Sequence, residues 1–371
     1  MSAVKRIGVL TGGGDAPGLN PAIKGLVYRA AERGIEVVGL YDGWRSLLHP
    51  VGETLPLDRN RVRRWDRDGG TNLGSSRTNP FKVKNEAGER VDRSGEVLEN
   101  LGRLGLDAIV ACGGEDTLGV AARLHGQGVC VVGIPKTIDK DLAGTDYTLG
   151  FDTALRNVTE VIERARTPAG SHSWVQIIEV MGRYAGHLAL WSGMAGQADL
   201  ILIPEHPFRY EKIYRHLQER LGDGASRRDR SLPRYSVIVV SEGASAEDGG
   251  LVTIDDRQDA FGHARLGGIG ETLAKKIMAE TPYDARAATL GHPQRGGPPS
   301  AIDRMMGLLF GARAADALAD GDLGQMVSAR GIAPAYELSL VDITLVLGQL
   351  NTVDVERHYD TERYHFKGIG M

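Results

Sequence analysis

Short β-branched or aliphatic runs, each ending in a loop rich in glycine or proline and most leading into a helical pattern, constrain this chain more than any other feature. Ile7 to Leu10 is followed by Gly12-Gly13-Gly14 and then by Pro21 to Arg33, where Ile23, Leu26, Val27 and Ala30 recur at helical spacing. Glu36 to Leu40, Ala108 to Cys112 and Val129 to Ile134 continue the series. Such alternation predicts an α/β protein with a parallel sheet covered by helices. From about residue 150 the pattern returns with Val175 to Val180, Leu200 to Ile203 and Ser236 to Val240, while the charged stretch Gly222 to Arg234 reads as an exposed loop. At 371 residues the chain exceeds a single core, so two α/β lobes sharing a cleft are expected, with a late segment returning to the first.

Composition narrows the function classes. The formal net charge of -4 gives no global basic field, which argues against nucleic acid as a partner and leaves room only for local arginine clusters that hold phosphates. There is no run of about 18 apolar residues and no apolar leader after Met1, so no membrane span and a cytoplasmic location are expected. Cys112 and Cys130 sit at the ends of apolar runs without metal-type spacing and read as two core thiols. Glycine, at 50 of 371 residues, is close to twice its usual share and collects at the ends of apolar runs, where backbone can approach a ligand.

In open α/β sheets ligands sit beyond the carboxyl ends of strands, so three strand-to-loop junctions are expected to face one crevice. At the first, Gly12-Gly13-Gly14 precedes Asp15-Ala16-Pro17-Gly18 and a helix; backbone N–H groups and the helix N-terminus suit phosphate oxygens, although a tight turn needs glycine too. At the second, Gly113-Gly114-Glu115-Asp116-Thr117 puts two carboxylates beside a glycine pair. Carboxylates near a phosphate make sense when one holds Mg²⁺; otherwise they simply complement a helix dipole. At the third, Pro135-Lys136-Thr137-Ile138-Asp139-Lys140-Asp141, Asp139 is placed to act as a general base toward a sugar hydroxyl and Lys136 to offset phosphoryl charge, against the alternative of a solvated charge run.

These loops, in this order, resemble those of the phosphofructokinase A superfamily. Gly74-Ser75-Ser76-Arg77, Gly144-Thr145-Asp146-Tyr147-Thr148, Glu179-Val180-Met181-Gly182-Arg183, Pro204-Glu205, Ser241-Glu242-Gly243 and Leu290-Gly291-His292-Pro293-Gln294-Arg295-Gly296-Gly297 extend the resemblance over most of the chain. It implies an α/β fold of two Rossmann-like three-layer lobes with mostly parallel sheets and the active site in the cleft between them. Residues 1–150 with about 294–345 would bind the donor, and 151–293 with about 346–371 the sugar phosphate. It also implies a homodimer or homotetramer whose sites are completed by a neighbouring subunit.

Carried over position by position, the resemblance makes Asp139 the proton acceptor, Glu115 the acidic residue near Mg²⁺, and Gly13, Gly14, Gly114, Asp116, Thr117 and Lys136 the donor site, with Arg77 bridging donor and acceptor phosphates. Asp139, Arg77, Asp116 and Lys136 form the implied catalytic set. Thr137, Asp139, Asp141, Met181, Gly182, Arg183, Glu242, His292 and Arg295 match the sugar-binding residues, and Arg286 matches one that reaches the sugar 6-phosphate from an adjacent subunit. Arginine forks suit phosphate oxygens, and carboxylates or imidazole suit sugar hydroxyls.

Asp116 and Lys136 stand where relatives that use ATP have glycine, and this implies pyrophosphate as the donor: a carboxylate fills the space of an α-phosphate and repels it, while the lysine serves a small tetra-anion. Three positions depart from the family pattern. Lys140 replaces an asparagine beside the base and is expected to lower its pKa. Lys24 and Tyr28 stand where allosteric relatives carry arginines. Trp174 replaces an arginine that binds the sugar 6-phosphate across the subunit interface. The leading expectation is Mg²⁺-dependent, reversible transfer from pyrophosphate to the 1-hydroxyl of fructose 6-phosphate. The alternatives are ATP as donor, a different sugar or sugar phosphate as acceptor on account of Trp174, and a catalytically silent sugar-phosphate-binding regulator.

Overall fold

A computed structural model describes residues 4–48, 54–222, 233–258, 264–332, 335–348 and 350–368, with backbone only at 254–258, 264–265 and 332. The chain divides into two compact units, Met1–Thr153 with Arg295–Leu350, and Ala154–Gln294 with Asn351–Met371. Most of the loop expected over Gly222 to Arg234 lies outside the described residues.

The first unit is built on a seven-stranded sheet in the spatial order Ala335–Asp342, Gln325–Ile332, Val131–Pro135, Ala108–Gly113, Arg6–Thr11, Glu36–Leu40 and Thr54–Leu57. The five middle strands are parallel; the outermost strand on each side is antiparallel to its neighbour. Alternating side chains enter two cores, one on each face, as the period-2 geometry of a strand requires. Ile7, Val9, Val110 and Cys112 pack with the helices Leu19–Glu32 and Ala301–Asp320, while Leu10, Ile109 and Ala111 pack with Leu118, Ala121 and Leu124 of helix Glu115–Gly126. Those first two helices meet backbone to backbone: a Cβ on Gly25 would lie 2.1 Å from the Leu308 carbonyl oxygen, and one on Gly311 2.0 Å from that of Ala22.

Two element boundaries differ from the sequence reading for local reasons. The first helix begins at Leu19, because Gly18 adopts φ 110 and turns the chain into it. The strand expected from Val129 begins at Val131, since the Val129 N–H is taken by the Leu124 carbonyl at the end of the preceding helix.

The second unit carries a parallel sheet in the order Ala285–Thr289, Val175–Val180, Ser236–Ser241 and Leu200–Leu202. Helices His187–Ala195, Tyr210–Leu221 and Ile269–Glu280 belong to the same unit. The C-terminal segment closes its edge: Ile201 N–H donates to the Tyr364 carbonyl at 2.7 Å, and Tyr359 donates its hydroxyl to the Ile201 carbonyl at 2.6 Å.

Candidate active site

Sheet order brings the three strand-to-loop junctions of the first unit together. Arg6–Thr11, Ala108–Gly113 and Val131–Pro135 are consecutive parallel strands in register Thr11↔Cys112 and Gly113↔Pro135, so their carboxyl ends lie side by side. Gly12 and Gly113 are required sterically: a Cβ on either would lie 2.5 or 2.3 Å from the Thr117 side chain, which is buried between the two loops. Thr117 thus sets the spacing of the first two junctions. The Gly74–Arg77 segment is stitched to the same place, because Gly13 N–H donates to the Ser76 carbonyl at 3.0 Å and the Ser75 hydroxyl donates to the Gly13 carbonyl at 2.6 Å. This carries exposed Arg77 to the glycine loop.

Lys136 is 2% exposed, and its ammonium donates to the carbonyls of Gly12, at 3.0 Å, and Gly14. Burial, followed by the charge of Arg295, pulls its pKa down to about 7, while Asp15 and Asp139 oppose the shift. Arg295 lies over the same loop: its Nη1 donates to the Asp15 carbonyl at 3.2 Å, and a Cβ on Gly14 would come within 2.7 Å of that nitrogen. An arginine matched to the sugar set therefore touches the glycine loop as well. Glu115 and Asp116 occupy the first turn of helix Glu115–Gly126.

Asp139 is buried, its N–H is held by the Thr137 hydroxyl at 3.1 Å, and its Oδ1 accepts no hydrogen bond among the described residues. Lys140, expected as an extra cation beside this carboxylate, takes a left-handed backbone (φ 57) and sets its ammonium 5.3 Å from the centroid of the Phe151 ring. Burial lowers its pKa, and the carboxylate that opposes the shift is Asp146. Lys24, noted as a departure, pairs with Asp66 at 2.6 Å.

Within the second unit, Met181-Gly182-Arg183 and Glu242-Gly243 follow adjacent parallel strands in the register Ser241↔Val180. Arg183 N–H donates to Glu242 Oε1 at 3.2 Å, and a Cβ on Gly243 would lie 1.8 Å from the Arg183 carbonyl oxygen, so only glycine fits there. The strand Ala285–Thr289 pairs on the other side of Val175–Val180 and leads to exposed His292. Gln294, in a motif quoted from the sequence but given no role there, is buried and accepts from Met181 N–H at 3.1 Å while donating to the Gly291 carbonyl at 3.0 Å. It ties the His292 turn to Met181.

Trp174 and Arg286 form a separate group. They sit at the amino ends of strands whose carboxyl ends carry Met181 and Leu290, roughly 20 Å away along a six-residue strand. The His172 and Trp174 rings stack at 5.0 Å and 6° between planes, and the Arg286 guanidinium lies 5.9 Å from the Trp174 centroid. Trp174 Nε1 donates to Gln176 Oε1 at 3.1 Å, and Gln176 in turn donates to the Arg286 carbonyl at 3.2 Å.

The phosphofructokinase family model matches residues 6–318. The chain belongs to the phosphofructokinase family. It is 47% identical over 352 residues to a pyrophosphate–fructose 6-phosphate 1-phosphotransferase of Dictyoglomus thermophilum, covering 94% of this chain and 95% of that one. It is 40% identical over 358 residues to ATP-dependent 6-phosphofructokinase 3 of Streptomyces coelicolor, covering 96% and 99%. The crystal structure of a pyrophosphate-dependent phosphofructokinase from Marinobacter aquaeolei has the same fold, with a TM-score of 0.79 at 22% identity over 98% of this chain and 89% of that one.

For a phosphofructokinase, the oxygen-only character of the first-unit acids fits Mg²⁺. This ion takes one or two protein carboxylates and completes its octahedron with phosphate and water oxygens. Among the described residues no helix is long and apolar enough to cross a membrane.

Proposed function

We propose that this phosphofructokinase-family chain transfers a phosphoryl group from pyrophosphate to the 1-hydroxyl of fructose 6-phosphate, reversibly and with Mg²⁺. The observation that carries the reading is Lys136, a buried cation joined to the glycine loop through Gly12 and Gly14, with Asp116 at the neighbouring helix start. A compact tetra-anion suits that cation, whereas a nucleotide would need the room and neutrality of glycines at both positions. The names of the more similar relatives agree with this donor.

In the proposed mechanism, Gly13, Gly14, Gly114, Thr117 and Lys136 form the donor site and Arg77 spans the two phosphates. Glu115 would hold Mg²⁺, directly or through water, and the ion would neutralise phosphate charge during transfer. Asp139 Oδ1, which accepts no hydrogen bond among the described residues, takes the proton of the attacking hydroxyl. Thr137, Asp141, Met181, Gly182, Arg183, Glu242, His292 and Arg295 orient the sugar. Positioning and charge neutralisation carry most of the acceleration, as is general for phosphoryl transfer. A buried base with an oxygen that accepts no hydrogen bond among the described residues is expected of an enzyme and costly in a silent binding protein.

Arg286, beside Trp174, is proposed to serve the sugar 6-phosphate of a neighbouring subunit in a homodimer or homotetramer. Their place at the strand ends opposite Met181 supports this, because one chain's pair cannot serve its own Met181–Arg183 group. Trp174 also keeps a second reading open, the same chemistry on another ketose phosphate. A matrix of pyrophosphate and ATP against fructose 6-phosphate, sedoheptulose 7-phosphate and free sugars tests both. Turnover highest with pyrophosphate and fructose 6-phosphate is expected; preference for ATP or for another acceptor would replace the corresponding half of the proposal.

A further inference from the structure

Asp303 has no exposure to solvent and lies in the first turn of helix Ala301–Asp320. Both of its oxygens are fully used. Oδ1 accepts from the Tyr147 hydroxyl at 2.6 Å and from Gly150 N–H at 2.7 Å; Oδ2 accepts from Thr153 N–H at 2.8 Å and from the Thr153 hydroxyl at 2.5 Å. Burial nonetheless raises its pKa to about 6, against the lowering effect of these donors. A buried carboxylate is retained at that cost when its hydrogen bonds hold something in place.

What they hold is the segment running beside the proposed base. Leu149 N–H donates to the Pro135 carbonyl at 3.1 Å, and the Thr148 hydroxyl donates to the Thr137 carbonyl at 2.7 Å. Thr137 in turn accepts from Asp139 N–H. Gly150, at φ 101, brings this segment onto the glycine loop as well: a Cβ there would lie 2.5 Å from Ala16 Cβ and 3.2 Å from Ile138 Cγ2. A chain of direct contacts therefore runs from Asp303 through Tyr147 and Gly150 to both the donor loop and the base.

We propose that Asp303 is a positioning residue for phosphoryl transfer, which clamps the Tyr147–Gly150 segment and thereby sets Asp139 against the glycine loop. The proposal rests on the role assigned above to Asp139. Asp303→Asn keeps the shape but turns one acceptor into an NH₂ group that must face a backbone N–H, Gly150's or Thr153's, and so breaks up the shared node, while Tyr147→Phe removes a single hydroxyl from it. Val27→Ala, a core truncation on the first helix, serves as a control for lost stability.

At a temperature well below each variant's Tm, Asp303→Asn is expected to lower kcat about 10- to 100-fold while KM for pyrophosphate and fructose 6-phosphate moves less than about threefold, the pattern of a misplaced reacting group rather than lost binding. Tyr147→Phe should lower kcat several-fold, and it carries the test alone where Asp303→Asn does not fold. Val27→Ala should leave kcat near wild type. Amide hydrogen exchange provides an arm that needs no substrate: it should rise across residues 135–150 in both node variants, with Arg6–Thr11 and Ala108–Gly113 unchanged. A kcat within twofold of wild type in folded Tyr147→Phe and Asp303→Asn, a rise in KM alone, an equal kcat loss in Val27→Ala, or unchanged exchange at 135–150 would each overturn the proposal. A wild-type enzyme inactive with these substrates would instead overturn the proposed function, and the exchange arm would then judge the clamp by itself.

Discussion

The ammonium of Lys136 donates to the carbonyl oxygen of Gly12 across 3.0 Å, so the proposed donor cation is also a strut of the glycine loop. Its pKa of about 7, set first by burial and next by Arg295, lies below its ordinary value of 10.5. Between about pH 7 and 10.5 the unfolded chain therefore binds more protons at this position than the folded one. Linkage then makes the lysine's contribution to stability most favourable above 10.5 and progressively lost as pH falls through about 7. Thermal unfolding from pH 7 to 10 should show Lys136→Met losing stability relative to wild type as pH rises, by an amount on the order of a few kcal/mol across the window. Pyrophosphate binding should draw a proton onto Lys136 over the same range, read by calorimetry in buffers of different ionisation enthalpy. Equal apparent enthalpies across buffers would remove the coupling.

Donor choice is expected to follow Asp116 and Lys136 together. The pair Asp116→Gly and Lys136→Gly should raise kcat/KM for ATP relative to pyrophosphate, because it removes a repelling carboxylate and the small donor's cation at once. The ratio measured for both donors decides; an unmoved ratio would place donor selection elsewhere.

For Asp139→Asn, kcat should fall by about 10²–10⁴ while the affinities change less, the usual size of a general-base contribution. Near-normal turnover would assign proton transfer to Asp141 or to water.

Arg286 over Trp174 leads to a complementation test. If each sugar site is shared between subunits, mixing Asp139→Asn with Arg286→Ala chains under exchange conditions should assemble some sites that have both residues intact. Random pairing in a dimer would restore about a quarter of wild-type activity, from two variants each far less active alone. Mixtures no more active than the sum of their parts would show that Arg286 acts elsewhere.

Gly243→Ala should raise KM for fructose 6-phosphate and leave that for pyrophosphate nearly unchanged. A methyl 1.8 Å from the Arg183 carbonyl oxygen must displace the Met181–Arg183 turn, which belongs to the same unit, while the glycine loop belongs to the other. Parallel increases in both constants would mean that the turn does not serve the sugar alone.

Strand positions and the three junctions were legible in the sequence because each rests on local signals, whereas the donor role proposed for Asp116 and Lys136 came from the family resemblance. Apolar runs announce buried strands, and glycine pairs directly after them announce backbone bared to a ligand. Lys140 could be read as a cation beside the base from its place in the chain, yet a left-handed φ and the Phe151 ring decided where its ammonium rests. Sequence likewise grouped His292, Gln294 and Arg295 in one motif. Only the fold separated them, setting Gln294 under Met181 in one unit and Arg295 over Gly14 in the other. Strand register put Trp174 and Arg286 at the amino ends and Met181 at the carboxyl end of the same sheet, and helix packing brought Asp303 to Tyr147 from far along the chain. Hydrogen bonds, burial and charge act over a few ångströms in space, whatever their separation along the chain, so these partners could be assigned only once the two units had folded.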